Sequence, residues 1–441
     1  MKAIDLVPHI AAVDSLKRYG RIQRVVGLLL ESQGPQSSIG DVCWIHPSTQ
    51  GKGQPILAEV VGFQNENVML MPYKSVQEIS PGSLVEATGS ALQVRVGEGL
   101  VGRVLDALGH PMDEKLLPKG LVGVPTDAAP PNPLTRPPIH EPIGVGVRAI
   151  DSLLTVGKGQ RVGIFAGSGV GKSTLLGMIA KKTTADINVI ALIGERGREI
   201  REFIERDLGE EGRKRTIVVA ATSDQPALMR IKGAYTATSI AEYFRAKGYN
   251  VMFMMDSVTR VAMAQREVGL AVGEPPATKG YTPSVFAMLP KLLERTGTSH
   301  QGSITAFYTV LVDGDDLNEP ITDAVRGILD GHIVLDRDLA NQGHFPAIQI
   351  LKSVSRLMPH LVSAEHVKAA NRFRELYSTY KQSEDLIQIG AYKRGSSKDV
   401  DEAVQRYPDL IRYLKQETFE TGSFAEHVAS IQHLLREGER V

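Results

Sequence analysis

The spacing of apolar residues changes twice along the 441-residue chain. Between residues 18 and 90, short runs rich in Val, Ile and Leu alternate with turns rich in Gly, Pro and Asn. From about residue 151 to residue 350, apolar runs of strand length are separated by stretches with helical spacing. From about residue 360 onward, Leu, Glu, Lys, Gln and Arg dominate. We therefore expect a β-rich region, then an alternating region, then a helical region.

The elements expected in these regions follow from the apolar spacing. Short strands between turns predict a small β-barrel or sandwich, with strands at residues 24–30, 41–45, 56–61 and 68–71. Wholly apolar strands between helices predict a mostly parallel sheet with helices on both faces. The strands of this sheet are expected at residues 161–165, 187–193, 216–221, 251–255 and 303–312. The last region predicts a helical domain.

The same changes in spacing set the expected domain boundaries. Residues 1–17 form a weakly amphipathic segment, which either packs as a frayed terminus or docks a partner. The barrel is expected at residues 18–90, the α/β domain at 91–360 and the helical domain at 361–441. Prolines between residues 130 and 138 stiffen an extended linker inside the α/β domain.

Residues 166–174 carry the strongest chemical signal in the chain. They read Ala-Gly-Ser-Gly-Val-Gly-Lys-Ser-Thr between a predicted strand and a predicted helix, as in a phosphate-binding loop. Glycines let backbone N–H groups turn toward a phosphate, and the helix N-terminus adds partial positive charge. An ordinary glycine-rich turn is the alternative, which the complete Gly-Lys-Ser sequence disfavours. The predicted nucleotide contacts are Gly167, Ser168, Gly169, Val170, Gly171, Lys172, Ser173 and Thr174.

Hydrolysis needs further groups around such a loop. Lys172 would reach the β- and γ-phosphates, and the hydroxyl of Ser173 would ligate Mg²⁺. Asp256 ends an apolar strand and would hold the hydration shell of the Mg²⁺ through water. Glu195 ends another such strand, where it either polarises the attacking water or pairs with a following arginine at the surface. Spacing leaves both interpretations of Glu195 open.

Composition narrows the class of protein. Lys and Arg number 50, as do Asp and Glu, so no global basic field would attract nucleic acid. The single cysteine, Cys43, cannot form an internal disulfide and is expected to be a small core residue. No apolar run is long enough to span a membrane, so we expect a cytoplasmic protein whose membrane association is at most peripheral.

Several stretches resemble one family of ATPases. Residues 194–199 resemble the catalytic-glutamate motif of the rotary ATP synthase beta subunit, and residues 346–356 resemble the signature near its arginine finger. Similarity to the type III secretion ATPases extends over residues 256–267, 314–321 and 328–335. Similarity to the flagellum-specific branch extends over residues 25–32 and 37–42. Together the resemblance covers nearly the whole chain.

The resemblance implies an α/β fold, with a RecA-like nucleotide-binding core that follows a small β-barrel and precedes a C-terminal helical domain. It implies ATP and Mg²⁺ as ligands and a homohexamer that hydrolyses ATP during export of flagellar proteins. Glu195 is then the water-activating base, with Arg196 and Arg260 near it and the γ-phosphate. Arg356 is then an arginine finger acting on a neighbouring subunit, whereas its spacing alone favours an ordinary surface arginine.

Three further expectations come from the same resemblance. Phe345 matches an aromatic residue that stacks on adenine, and Phe424 matches a second aromatic on that side. Gln349 stands where the family usually has Asp, Asn or His, and its longer amide is expected to affect packing near Arg356. Residues 273–281 resemble the loop that faces the axis of the ring, although they also suit a rigid surface turn.

The partners implied by the resemblance cannot be derived from the residues themselves. They are a stator-like export regulator at the N-terminal segment, a central coiled-coil stalk, the export gate, and chaperone–cargo complexes at the C-terminal domain. The implied location is the cytoplasmic face of the inner-membrane export apparatus, with no nucleic-acid partner.

Four alternatives stay open at this point. They are a non-catalytic nucleotide-binding subunit, a ring helicase, a rotary ATP synthase catalytic subunit and the ATPase of a non-flagellar secretion system. Glu195 opposes the first, and the balanced charge opposes the second. The stretches similar to secretion ATPases oppose the third.

Overall fold

The computed structural model describes residues 16–47, 54–74, 79–312, 316 and 318–436. The proposed docking segment at residues 1–17 therefore lies outside the described residues except for its last two positions. Part of the secretion-type stretch 314–321 also lies outside them.

A closed six-stranded barrel forms the N-terminal domain, in the order β1-β2-β5-β4-β3-β6. Its strands are Tyr19–Val26 (β1), Leu29–Gln33 (β2), Asp41–His46 (β3), Ile56–Gln64 (β4), Asn67–Pro72 (β5) and Leu84–Ala91 (β6). Ile22, Leu30, Ile45 and Val60 fill its interior, because alternate side chains of each strand point inward. Cys43 is fully buried among them, as expected for a small core residue. The closed barrel confirms the first of the two folds that the sequence allowed and excludes the sandwich.

A nine-stranded sheet forms the centre of the second domain, in the order β17-β16-β10-β15-β13-β11-β12-β8, with β14 paired to β15. Its strands are Val104–Asp106 (β8), Arg161–Ala166 (β10), Ile187–Glu195 (β11), Thr216–Thr222 (β12), Asn250–Asp256 (β13), Gly297–Thr298 (β14), Ser303–Leu311 (β15), Gly331–Leu335 (β16) and Val354–Ser355 (β17). Gln93–Val96 (β7) and Val122–Pro125 (β9) make a separate antiparallel pair.

All strands of the central sheet are parallel except β14 and β17. Parallel strands end at one edge of a sheet, and we call the edge formed by Ala166, Glu195 and Asp256 the carboxyl edge. The opposite edge, at which Arg161 and Ser303 begin their strands, is the amino edge. Side chains on both faces of β11 and β13 are buried, which explains the uninterrupted apolar runs in the sequence.

Helices cover both faces of the sheet and build the third domain. Those of the second domain are Arg148–Leu153 (α1), Lys172–Lys182 (α2), Gly197–Glu202 (α3), Gly209–Arg213 (α4), Ala227–Ala246 (α5), Val258–Ala271 (α6), Pro283–Leu293 (α7), Pro320–Ile328 (α8) and Arg337–Asn341 (α9). A π-helical turn, Phe203–Leu208, joins α3 to α4. The C-terminal helices are Met358–Leu361 (α10), Ala364–Gln388 (α11), Lys398–Leu414 (α12) and Phe424–Arg436 (α13).

Candidate active site

The phosphate-binding loop joins the end of β10 to the start of α2. Gly169 and Gly171 have φ angles of 79° and 88°, a region that strains residues with a Cβ. Gly171 directly precedes α2, and its carbonyl accepts the N–H of Leu175 at 3.0 Å. The loop therefore leads straight into a helix N-terminus, whose free N–H groups and partial positive charge suit a phosphate.

Three charged side chains of low exposure meet at the carboxyl edge. The Nζ atom of Lys172, the first residue of α2, lies 2.6 Å from Oδ1 of Asp256 and 3.7 Å from Oε1 of Glu195. Their side chains are exposed by 13%, 4% and 15%, respectively. The strand order brings them together, because β10, β13 and β11 all end at this edge.

The protonation of these groups reflects their mutual contacts. Burial alone would lower the pKa of Lys172, but the carboxylates of Asp256 and Glu195 outweigh it and raise that pKa. Burial and the nearby charge of Asp256 raise the pKa of Glu195 to about 7, against the opposing effect of Lys172. A carboxyl group with such a pKa exchanges its proton near neutral pH, which suits a general base.

The contacts of Glu195 decide between the two roles that the sequence left open, a group that polarises water or a partner of a surface arginine. Its carboxylate faces Lys172, whereas the guanidinium of Arg196 points outward and pairs with Glu199 at 3.5 Å. Arg198 likewise pairs with Glu202 at 3.3 Å. The surface pairing that the sequence allowed for Glu195 is therefore made by other glutamates.

Arg260 packs against Gly194, the residue before Glu195, whereas Arg196 is turned toward solvent. The side chain of Arg260 crosses Gly194, where an added Cβ would come within 2.8 Å of Arg260 Cβ. Gly194 also has a φ of 74°, so both space and backbone conformation require glycine before Glu195. The Nε atom of Arg260 is buried and has no hydrogen-bond partner among the described residues. Such an unpaired donor is available to an anionic ligand.

Thr309 is a polar contact of the site that the sequence did not indicate. Its hydroxyl lies 2.7 Å from Oδ1 of Asp256, and it is fully buried in β15, the strand between β10 and β13. A threonine inside an apolar strand has no motif of its own, so only the strand order reveals this contact.

The two aromatic residues expected near adenine lie apart. Phe345 is 47% exposed, and its ring carbons lie 3.4 and 3.5 Å from the position of a Cβ added to Gly171. Phe424 instead approaches Gly144 and contacts the ring of His366, with 6.2 Å between ring centroids. The backbone N–H of Thr184, just beyond α2, bonds to the carbonyl of Gly144. Phe424 therefore lies near the far end of α2, about 16 Å along the helix from the phosphate loop.

Arg356 lies at the amino edge of the sheet. Its backbone N–H donates to the carbonyl of Asp330, whose own N–H donates to Arg161 at the start of β10. The 6 residues of β10 separate this point from the phosphate loop by about 20 Å. The exposed guanidinium of Arg356 donates to the carbonyls of Leu329 and Arg326 at 3.2 and 3.4 Å. Arg356 cannot therefore reach the phosphate loop of its own chain.

Gln349 is not near Arg356, contrary to the expectation from the sequence. Its Nε2 atom donates to Oδ2 of Asp336 at 3.5 Å, and its backbone N–H bonds to Val334. Both contacts lie at the carboxyl end of β16, because the chain returns to the amino edge only after residue 349. The amide of Gln349 therefore contacts Asp336 at the carboxyl edge, away from Arg356.

The loop at residues 273–281 is exposed along most of its length but anchored at both ends. The carboxylate of Glu274 accepts the N–H of Ser284 at 3.1 Å, and the guanidinium of Arg266 lies over the ring of Tyr281. Lys279 pairs with Asp316 at 3.7 Å. The loop is therefore shaped by its own contacts while its middle faces solvent.

The residues at the carboxyl edge fit a magnesium nucleotide. A hydroxyl from Ser173 and a carboxylate from Asp256 are oxygen donors of the kind that Mg²⁺ prefers. Among the described residues, no group of three or more His, Cys, Asp or Glu could hold a metal ion. Few protein ligands are the rule where Mg²⁺ is also held by substrate phosphates. The loop glycines and the unpaired Nε of Arg260 supply the matching anion site.

None of the helices in the described ranges combines the length and apolar character needed to cross a membrane.

Comparison with protein families gives matches along most of the chain. Residues 146–355 match the nucleotide-binding domain of the ATP synthase alpha/beta family, and residues 22–89 match the beta-barrel domain of that family. Residues 362–433 match the T3SS EscN ATPase C-terminal domain.

Curated relatives match at high identity over nearly their full length. The chain is 69% identical to the flagellum-specific ATP synthase of Bacillus subtilis over 434 residues, covering 98% of this chain and 99% of the relative. It is 48% identical to the flagellum-specific ATP synthase of Salmonella typhimurium, covering 96% of this chain and 94% of the relative. It is also 48% identical to the type 3 secretion system ATPase of Xanthomonas euvesicatoria, covering 92% of each chain.

Solved structures give the same fold. The assembled ATPase EscN of the enteropathogenic E. coli type III secretion system matches with a TM-score of 0.89 and 46% identity, covering 94% of this chain and 100% of that chain. EscN in complex with its central stalk EscO matches with a TM-score of 0.87, at the same identity and coverage.

Proposed function

Since the chain belongs to the ATP synthase alpha/beta family, in its flagellum-specific type III secretion branch, we propose that it hydrolyses Mg²⁺-ATP at sites shared between neighbouring copies and so energises export of flagellar proteins. The observation that carries the shared site is the position of Arg356 at the amino edge, a strand length from the phosphate loop.

The proposed binding step uses the phosphate loop and Lys172. Backbone N–H groups of residues 167–171 surround the β- and γ-phosphates, and the ammonium of Lys172 moves from Asp256 toward them. Mg²⁺ held by Ser173, with water held by Asp256, would neutralise charge on the phosphates. Phe345 stands beside the loop, where its exposed ring can stack on adenine. The adenine role of Phe424 stays a prediction.

The proposed chemical step uses Glu195 and two arginines. Glu195 accepts a proton from the attacking water, a role that its raised pKa favours. Arg260 stabilises negative charge from within the same chain, and Arg356 does so from the neighbouring copy. Arg196 is exposed beside Glu195, where it can face the same interface.

The assembly that this mechanism requires is head-to-tail. Each copy offers its carboxyl edge to one neighbour and its amino edge to another, and such an interface forms a ring when the rotation closes. We propose a homohexamer, with the loop at residues 273–281 facing a central coiled-coil stalk. The solved complex of EscN with its stalk EscO supports this proposal.

The further partners are proposed by family resemblance. They are a stator-like regulator at the N-terminal segment, the export gate, and chaperone–cargo complexes at the helical domain. The proposed location is cytoplasmic, peripheral to the inner-membrane export apparatus, without nucleic acid.

Two alternatives receive less support than the flagellar assignment. Identity to the flagellum-specific relative of Bacillus subtilis is 69%, against 48% to the Xanthomonas secretion ATPase. A non-catalytic subunit is disfavoured because Glu195 faces Lys172 inside the site.

The test mixes two inactive variants, Arg356→Ala and Glu195→Gln, and measures phosphate release against protein concentration. The lesions lie on opposite sides of one interface, so mixed assemblies contain some sites with both residues intact. We expect partial recovery of activity in the mixture and a rate per chain that rises with concentration in the parent.

The matched control is Arg412→Ala, which removes an exposed arginine paired with Asp409 in the helical domain. This variant should keep the parent rate and concentration dependence. A flat concentration profile together with no recovery in the mixture would refute the shared site.

A further inference from the structure

Two donors share one oxygen of Asp256. Lys172 Nζ lies 2.6 Å and Thr309 Oγ1 lies 2.7 Å from Oδ1 of that carboxylate. Thr309 Oγ1 also lies 3.2 Å from the carbonyl of Met255. A hydroxyl has one proton, and the shorter contact to a charged acceptor is the stronger one. Thr309 therefore donates to Asp256.

The two donors differ in their freedom to move. Lys172 begins α2 and has a long, flexible side chain, which the proposed binding step turns toward the phosphates. Thr309 lies inside β15, directly opposite Ile164 of β10, and the neighbouring residue Tyr308 pairs with Met255 of β13. Its β-branched side chain has little rotational freedom, so its hydroxyl stays in place.

We propose that Thr309 is a positioning residue that keeps Asp256 oriented when Lys172 leaves it for the phosphates. Without Thr309, the same oxygen would lose its remaining protein donor among the described contacts at that moment. The carboxylate could then turn away from the water of the Mg²⁺ shell that it is proposed to hold. This inference rests on the proposed function, because it concerns the binding of a magnesium nucleotide.

Thr305, on the same strand, is a matched control that distinguishes a positioning role of Thr309 from a purely structural one. Thr305 is also fully buried in β15, and its hydroxyl accepts the N–H of Gly159 at 2.8 Å. Thr305 lies toward the amino edge, away from the phosphate loop. Replacement of either threonine by valine removes one buried hydroxyl at nearly constant volume, but only Thr309 contacts the site.

The experiment measures ADP binding to the full-length protein by calorimetry, with and without Mg²⁺. We expect Thr309→Val to reduce the gain in affinity that Mg²⁺ provides by about tenfold. Binding of ADP without Mg²⁺ should stay near the parent value. Thr309→Ser, which retains the hydroxyl, should restore most of the gain, and Thr305→Val should leave it unchanged.

A double-mutant cycle tests the route through Asp256. In an Asp256→Asn background, Thr309→Val should cause no further loss of Mg²⁺-dependent binding. This cycle can be completed with Thr309→Ala if the valine variant fails to fold.

The proposal is overturned if Thr309→Val keeps the parent's gain from Mg²⁺, or if Thr305→Val loses as much. It is also overturned if the losses of Mg²⁺-dependent binding caused by Thr309→Val and Asp256→Asn are additive in the cycle. A parent protein whose ADP binding gains nothing from Mg²⁺ would instead contradict the proposed function itself.

Discussion

The two edges of the central sheet both bury charged side chains, but they pair them differently. At the amino edge, Arg295 is 1% exposed and donates to Glu242 at 3.0 Å, to the carbonyl of Thr126 at 2.7 Å and to the hydroxyl of Ser239 at 2.8 Å. At the carboxyl edge, Lys172 alone faces two carboxylates, and Nε of Arg260 is left without a partner among the described residues.

This difference separates charges that hold the fold from charges that await a ligand. At the amino edge Arg295 is satisfied by fixed groups, so a change at this residue acts on stability. At the carboxyl edge the partners are exchangeable, because the lysine and the carboxylates must release one another when ATP binds. Substitutions of Arg295 and of the carboxylates that face Lys172 should therefore affect different measurements.

The largest expected effect is on catalysis at the carboxyl edge. Glu195→Gln removes the general base, so steady-state phosphate release should fall by about 10²–10⁴-fold. The temperature of unfolding should not fall, because the substitution removes a charge that burial and Asp256 disfavour. Glu202→Gln, which changes an exposed partner of Arg198, is the control and should retain activity. A clear loss of stability in Glu195→Gln would contradict the contrast between the edges.

The next effect is on stability at the amino edge. Arg295→Met leaves the mostly buried carboxylate of Glu242 without its main partner, which should cost about 3 kcal/mol. Denaturant unfolding of the purified protein measures this loss. The double variant Arg295→Met, Glu242→Gln should lose less, because no buried charge is left unpaired. Equal losses in the single and double variants would show that the ion pair does not account for the cost.

A smaller effect concerns pH and the nucleotide-free carboxyl edge. The pKa of Glu195 is about 7 in the folded protein, above its ordinary value of 4.5. The folded state therefore binds more protons between these values, and its stability should fall by about 1–3 kcal/mol as pH rises from 5 to 8. Thermal unfolding across this range measures the slope, which Glu195→Gln should flatten. An unchanged slope in that variant would argue against the raised pKa.

The smallest effect is the opposite pH dependence at the amino edge. The hydrogen bond from Arg103 lowers the pKa of Asp113 from 3.8 to about 2, against the opposing effect of burial. The stability that this pair contributes should be present above pH 4 and be lost, by about 1–2 kcal/mol, as pH falls toward 2. Asp113→Asn should remove this part of the acid sensitivity when unfolding is followed from pH 5 to pH 2.5. A variant with the parent's acid sensitivity would exclude the pair as its cause.

The phosphate loop could be predicted because its residues are contiguous, and glycine at Gly169 and Gly171 is required by local backbone conformation. The carboxylates Asp256 and Glu195 could be predicted because each ends a buried strand. Which way Glu195 faces was not predictable, since three arginines and three glutamates lie within the eight residues 195–202.

Features that depend on the order of strands in the sheet could not be predicted from the sequence. Val104–Asp106 and Gly331–Leu335 join the central sheet, although neither was predicted as a strand, because short strands carry little periodicity. Thr309 meets Asp256 only because β15 lies between β10 and β13. The amino-edge position of Arg356 likewise follows from the antiparallel pairing of β17 with β16.

The separation of Arg356 from Lys172 across one sheet also has a genetic consequence. In the proposed ring, a chain that carries Arg356→Ala keeps its own phosphate loop intact and damages the site of its neighbour. A cell that makes both parent and variant chains would assemble mixed rings. In these rings, the ATP site of a parent subunit is inactive wherever the neighbouring copy lacks Arg356. Such an allele should be dominant over the parental gene, and a deletion of the same gene should be recessive.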